Sequence, residues 1–167
     1  MYENYIDEMI QTRRQIHKRP ELGWTEFETM WLVCRQLEKF GIPYVMGTKV
    51  INPKFVMGRY PTEVKDAVER AKKHGVPQSF IDKSEGYTGV VAIIETGRPG
   101  PVTAFRADMD ALPVRESEDP AHLPAKLGFA SERPGLMHAC GHDGHTAVGL
   151  ALAHWLQDHK DEFRGTF

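Results

Sequence analysis

The sequence predicts an α/β fold, a layered α/β/α arrangement with a mixed, mainly parallel sheet and a helical insertion. Three observations carry that reading: apolar stripes at helical spacing, apolar runs of strand length, and the interspersion of the two along one chain. The 167 residues are 41% apolar and 26% charged, enough to bury one core, and the formal net charge of −2 with mixed signs gives no electrostatic footprint for nucleic acid or an anionic membrane. No stretch approaches the roughly 20 apolar residues of a membrane span, and residues 1–20 lack the apolar core of a signal peptide. A cytoplasmic protein with a small-molecule partner is the expectation, with no membrane and no nucleic acid. Cys34 lies on a helical stripe and Cys140 among histidines and glycines, so a disulfide between them is the weaker reading.

Residues 2–17 place Ile6, Met9, Ile10, Arg13 and Ile16 at helical spacing, and Pro20 forbids continuation. In the next helix Thr25 precedes Glu28 as in a capping box. Phe27, Met30, Trp31, Cys34, Leu37 and Phe40 share one side before Gly41 and Pro43 stop it. Residues 42–45 read as a short strand. Residues 46–85 read as a mostly helical insertion, with Val64, Ala67, Val68 and Ala71 forming its clearest stripe. The run 89–95 and the run 102–105, joined by the turn Thr96-Gly97-Arg98-Pro99-Gly100, predict two adjacent strands. A loop over 113–135 leads to a helix over 145–159, and Gly165-Thr166-Phe167 resembles the opening of a further strand.

Chemistry concentrates in two places. His138-Ala139-Cys140-Gly141-His142-Asp143-Gly144-His145 sets a thiol, three imidazoles and a carboxylate just before a predicted helix. Thiolate and imidazole suit zinc and related ions, and the glycines allow the tight turn that would let Cys140 and His142 face one point. The bland alternative is a histidine-rich loop with hydrogen-bonding roles only. Arg106-Ala107-Asp108-Met109-Asp110 stands at the carboxyl end of a predicted strand, the edge where α/β sheets bind ligands, with both aspartates on one side. A solvated turn is the alternative there.

Together these motifs, with Arg14-Gln15-Ile16-His17, the segment from Pro20 to Glu26, and Thr88-Gly89-Val90-Val91-Ala92, resemble the amidohydrolase branch of the co-catalytic metallopeptidases, the group of aminoacylases, hippurate hydrolases and plant auxin-conjugate hydrolases. Within the branch, the helical insertion, the turn at 96–101 and the lead-in Gly128-Phe129-Ala130-Ser131 narrow the resemblance to a hydrolase of an acyl-glutamate. The resemblance implies two divalent metal ions (zinc or manganese, or else cobalt), with Cys140 and His142 as ligands and Asp110 as the catalytic carboxylate that orients the site. Asp108, His138, Asp143 and His145 are assigned to the surroundings of the ligands. It also implies metal-dependent cleavage of the amide bond of an N-acyl amino acid, and assembly with a second copy or a homologous second subunit. The whole chain, 1–167, then corresponds to the N-terminal portion of a catalytic domain, without the general-base glutamate, the remaining ligands and a lid domain. A related aminoacylase or dipeptidase, or a non-catalytic fragment acting as an interaction module, are the rival readings.

Overall fold

The computed structural model describes residues 3–167; the expected helix start at Tyr2 lies outside them. Helix α1, Glu3–Lys18, buries Thr12, Ile16 and His17, whereas Ile6 and Ile10 of the predicted stripe remain exposed. It runs along α6, His142–Asp158, at the other end of the sequence. Helix α2, Phe27–Lys39, is the spine of the molecule, because its apolar positions split between two cores. Phe27, Met30 and Cys34 pack with Val64, Ala67 and Ala71 of α3, Pro61–Lys73, and with Phe80 and Ile81 of α4, Gln78–Ser84. Val33 and Leu37 meet Ile42, Ile94 and Leu150 of α6.

The expected capping box does not form at α2. Thr25 Oγ1 donates to Leu22 O at 2.7 Å, and the cap comes from Glu21, outside the motif. Its carboxylate accepts the backbone N–H of Glu28 at 3.3 Å, and that of Thr29 at 2.8 Å with the Thr29 hydroxyl at 2.9 Å. A carboxylate so placed satisfies the orphan donors of the first turn and opposes the helix dipole.

Strand β1, Tyr44–Met46, pairs antiparallel with β2, Val90–Ala92, in the register Tyr44↔Ala92, Val45↔Val91, Met46↔Val90. The intervening residues form α3, α4 and two single turns of 3₁₀ helix. At the exit from β1, Gly47 adopts φ 63°, and a Cβ there would lie 2.3 Å from Ser84 O, so only glycine fits against the end of α4.

Among the described residues the regular sheet is these two antiparallel strands, where a mainly parallel sheet was expected; the one parallel bridge nearby is Val102↔Thr166. The run 102–105 does not pair with 89–95. Residues 165–167 lie between them: Phe167 and Ile94 exchange backbone bonds of 2.8 and 3.0 Å, while Thr103 N–H donates to Thr166 O at 2.9 Å and Thr166 N–H to Pro101 O at 3.0 Å. Pro99 and Pro101 have no N–H to extend a ladder, and Val102 and Phe105 remain exposed beyond them. Among the described residues, no helix is long and apolar enough to cross a membrane.

Candidate metal centre

The two chemistry-bearing motifs meet because the segment ending in Leu112 is fastened on three sides. Ala111 N–H donates to Glu21 O at 2.6 Å, Leu112 and Met137 exchange backbone bonds of 3.0 and 3.1 Å, and Thr146 Oγ1 on α6 donates to Asp108 O at 2.9 Å. Leu112 thus lies beside the entrance to the histidine-rich motif. Gly141, at φ 76°, then turns the chain into α6, which begins at His142, three residues earlier than the sequence pattern predicts. His142, Asp143 and His145 consequently sit in the first turn of a helix.

His142 Nδ1 lies 2.9 Å from Asp110 Oδ1 and 3.1 Å from Asp110 O, and the two imidazoles of His142 and His145 stack with centroids 5.2 Å apart. One potential ligand atom from each of Asp108, His142 and His145 lies within 4.8 Å of the others. Arg106 also reaches Asp108, Nη2 to Oδ1 at 2.6 Å. Cys140 is exposed and unpaired and stands outside this three-residue group, while Cys34 is buried and also unpaired.

Behind the group lies a buried polar cluster. His17 on α1 places Nδ1 2.9 Å from Asp143 Oδ2 and Nε2 2.9 Å from Glu116 Oε1. Arg13 Nε donates to the same Asp143 oxygen at 3.1 Å, and Glu116 also holds His122 Nε2 at 2.9 Å and the Ser131 N–H at 2.5 Å. Burial disfavours the His17 imidazolium, but hydrogen bonds to the two carboxylates outweigh it and raise its pKa. Burial likewise opposes ionisation of Asp143 and Glu116, yet the hydrogen bonds from His17 help hold both below the usual carboxylate range. His138 is buried with neither ring nitrogen bonded, and desolvation lowers its pKa to about 4; Asp143 Oδ1 is likewise buried without a partner. The sequence marks Asp143 and His138, and His17 only as part of a motif; it misses Glu116, which lies in the loop over 113–135 with no local signal.

The sequence model of Peptidase family M20/M25/M40 matches residues 104–167, the part that holds the Asp108 and His142 motifs. The chain is 47% identical over 156 residues to a subunit of p-aminobenzoyl-glutamate hydrolase from Escherichia coli, covering 92% of this chain and 36% of that protein. It is 45% identical over 163 residues to indole-3-acetyl-aspartic acid hydrolase of Enterobacter agglomerans, covering 96% of this chain and 37% of that protein. Among solved structures, an aminobenzoyl-glutamate utilization protein from Klebsiella pneumoniae superposes with a TM-score of 0.75 at 34% identity, over 99% of this chain and 36% of that one. A dinuclear metal-binding peptidase of family M20 from Bacillus subtilis gives 0.66 at 34% identity, over 98% of this chain and 34% of the other. The chain therefore spans little more than a third of the length of these relatives.

Proposed function

We infer that this chain, homologous over almost its whole length to M20-type amidohydrolases, carries part of the metal centre of such an enzyme. The reaction we assign to the whole protein is metal-dependent hydrolysis of an N-acyl amino acid, with p-aminobenzoyl-glutamate, cleaved to p-aminobenzoate and glutamate, as the favoured substrate. The observation that carries it is the juxtaposition of His142, Asp108 and His145 inside a chain 47% identical to part of a hydrolase of that name. The relative acting on indole-3-acetyl-aspartic acid supports a second reading. The two names share an aromatic acyl group joined to an acidic amino acid, and that is the substrate class we propose.

The donor set fits a divalent ion: imidazoles and a carboxylate converge, a free thiol lies in the same motif, and buried donor atoms at His138 and Asp143 have no partner. His142 would hold metal with Cys140, which the motif assigns, and with Asp108 or His145, which stand nearest. The B. subtilis relative, described as dinuclear, favours two ions. Bound there, such ions polarise the amide carbonyl and lower the pKa of water. Asp110 takes the Nδ1–H of His142, which fixes the tautomer and keeps the Nε2 lone pair for a ligand. His17 and Asp143 hold the first turn of α6 from beneath. On this reading the glutamate that would remove the proton from water, the further ligands and the lid belong to the part of the relatives' length that this chain does not span, where the sheet would extend as the layered, mainly parallel one expected. Relatives whose names make them one subunit of a hydrolase suggest assembly with a homologous second subunit, and two unpaired cysteines fit the reducing cytoplasm.

Turnover of p-aminobenzoyl-glutamate, indole-3-acetyl-aspartate and N-acetyl-leucine by the full-length protein tests this. Hydrolysis of the first two, abolished by chelator and restored by zinc, manganese or cobalt, is expected; equal rates on all three would remove the substrate class and leave a general aminoacylase.

A further inference from the structure

We propose that His17, which no motif chemistry assigns to the site, is a positioning residue for the metal centre, clamping the first turn of α6 to the loop over 113–135 through Asp143 and Glu116. The inference rests on the metal reading above. Both ring nitrogens of His17 face ionised carboxylates at 2.9 Å, and a carboxylate only accepts, so the ring must donate from both and is held as a cation. Each carboxylate has further contacts that hold it in place. Glu116 is tied to the loop by the Ser131 N–H and His122, and Asp143 is fully buried beside Arg13. Asp143 adjoins His142 in the chain, so any rotation of this turn that relaxed the Asp143 bond would also carry His142 away from Asp110 Oδ1. The ring is itself seated by Phe129, edge-on with centroids 5.4 Å apart, which leaves it little freedom to follow a moving turn. A residue kept only for packing would not need two charged partners, since a buried cation costs more to desolvate than an apolar side chain of its size.

The test uses full-length protein, stripped of metal and titrated with cobalt(II), read by visible absorption and alongside the melting temperature of the metal-free form. Orienting groups behind metal ligands contribute about 10- to 100-fold in affinity, so His17→Gln is expected to weaken cobalt binding about tenfold or more and to displace the d–d bands. Ile16→Val, buried on the same helix turn with no polar group to bond Asp143, is the control for general loosening; it should lower the melting temperature and leave cobalt affinity and bands as in the parent. Glu116→Gln, which leaves Asp143 as the only charged partner of His17, should give a smaller loss in the same direction and serves where His17→Gln does not fold. Parental cobalt binding in His17→Gln, or in a folded Glu116→Gln, would overturn the proposal, as would an equal loss in Ile16→Val. A parent that binds no cobalt would instead overturn the metal reading and this inference with it.

Discussion

The molecule has two buried ionic clusters, one at each end of the segment that follows α1, and they are built to opposite standards. At the insertion end, Glu21 accepts from Glu28 N–H, Thr29 N–H, the Thr29 hydroxyl and Arg70 Nη2, the last at 2.7 Å. Glu28 there holds Arg70 at 3.1 Å, His74 at 2.7 Å and Arg133. At the metal end, His138 and Asp143 supply three of the five buried side-chain polar atoms that lack a partner among the described residues, the others being on Arg59 and Trp155. A fully bonded buried cluster stabilises one arrangement, whereas donors left open inside a protein cost free energy that only a ligand, an ion or water recovers. On the proposed metal reading, the difference separates a structural cluster from a functional one in chemically similar surroundings.

The comparison breaks if damage at the metal end behaves like damage at the insertion end. His142→Ala in the full-length protein should lose most of its bound metal and activity while its urea midpoint without metal changes little; elemental analysis and denaturation decide. Arg70→Ala should do the reverse. It removes the principal cation from fully buried Glu21 and is expected to cost about 3 kcal/mol by urea denaturation, with metal content unchanged in the folded fraction. A stable Arg70→Ala protein without metal would show that the two clusters are not separable.

Acidity sharpens the same contrast. Glu26, buried where α2 begins and bonded by Thr88 Oγ1 at 2.5 Å, has its pKa raised by desolvation to about 7. In the unfolded chain it ionises near the ordinary value of about 4.5, so between that pH and about 7 the folded state keeps a proton the unfolded state has lost. Its contribution is fully present below the unfolded value and is lost as pH rises through the folded one. Glu26→Gln should therefore flatten the fall in stability from pH 5 to 8 and be the more stable form at pH 8 by roughly 3 kcal/mol. Urea midpoints at several pH values measure this, and an unchanged slope would remove Glu26 from the account.

Much of this was legible in the sequence where the signal is local. Phe27, Met30, Cys34 and Leu37 recur at helical spacing, and all are buried on α2. The clustering of ligand types around His142 likewise lies within a few residues of chain. What could not be read is long-range. His17 and Asp143 are separated by 126 residues and His17 and Glu116 by 99, so no window contains the cluster. Glu21 displaced the Thr25 cap because a buried carboxylate seven and eight residues away binds the same N–H groups better than a hydroxyl that already serves Leu22 O. The run over 102–105 misled because its composition is that of a strand, while its partner, Thr166, arrives from the far end of the sequence.

The smallest expected effect uses the two cysteines, which sit in the two kinds of environment at once. Cys34 is fully buried between α2 and the insertion, and burial pushes its thiol up to about 12, so it should react with a disulfide reagent only on unfolding. Replacing it with alanine trims one atom from a packed core and should cost on the order of 1 kcal/mol, with metal binding unaffected. Cys140 is exposed and unpaired, so in metal-free protein it should react at once, and Cys140→Ala should leave stability nearly unchanged while lowering metal content. Added zinc then gives the decisive measurement, because a thiolate that holds the ion is shielded from the reagent whereas Cys34 is indifferent to it. Reaction of Cys140 at the same rate with and without saturating zinc would take the thiol out of the ligand set, and leave His142 to hold the metal with Asp108 and His145, its nearest partners in the structure.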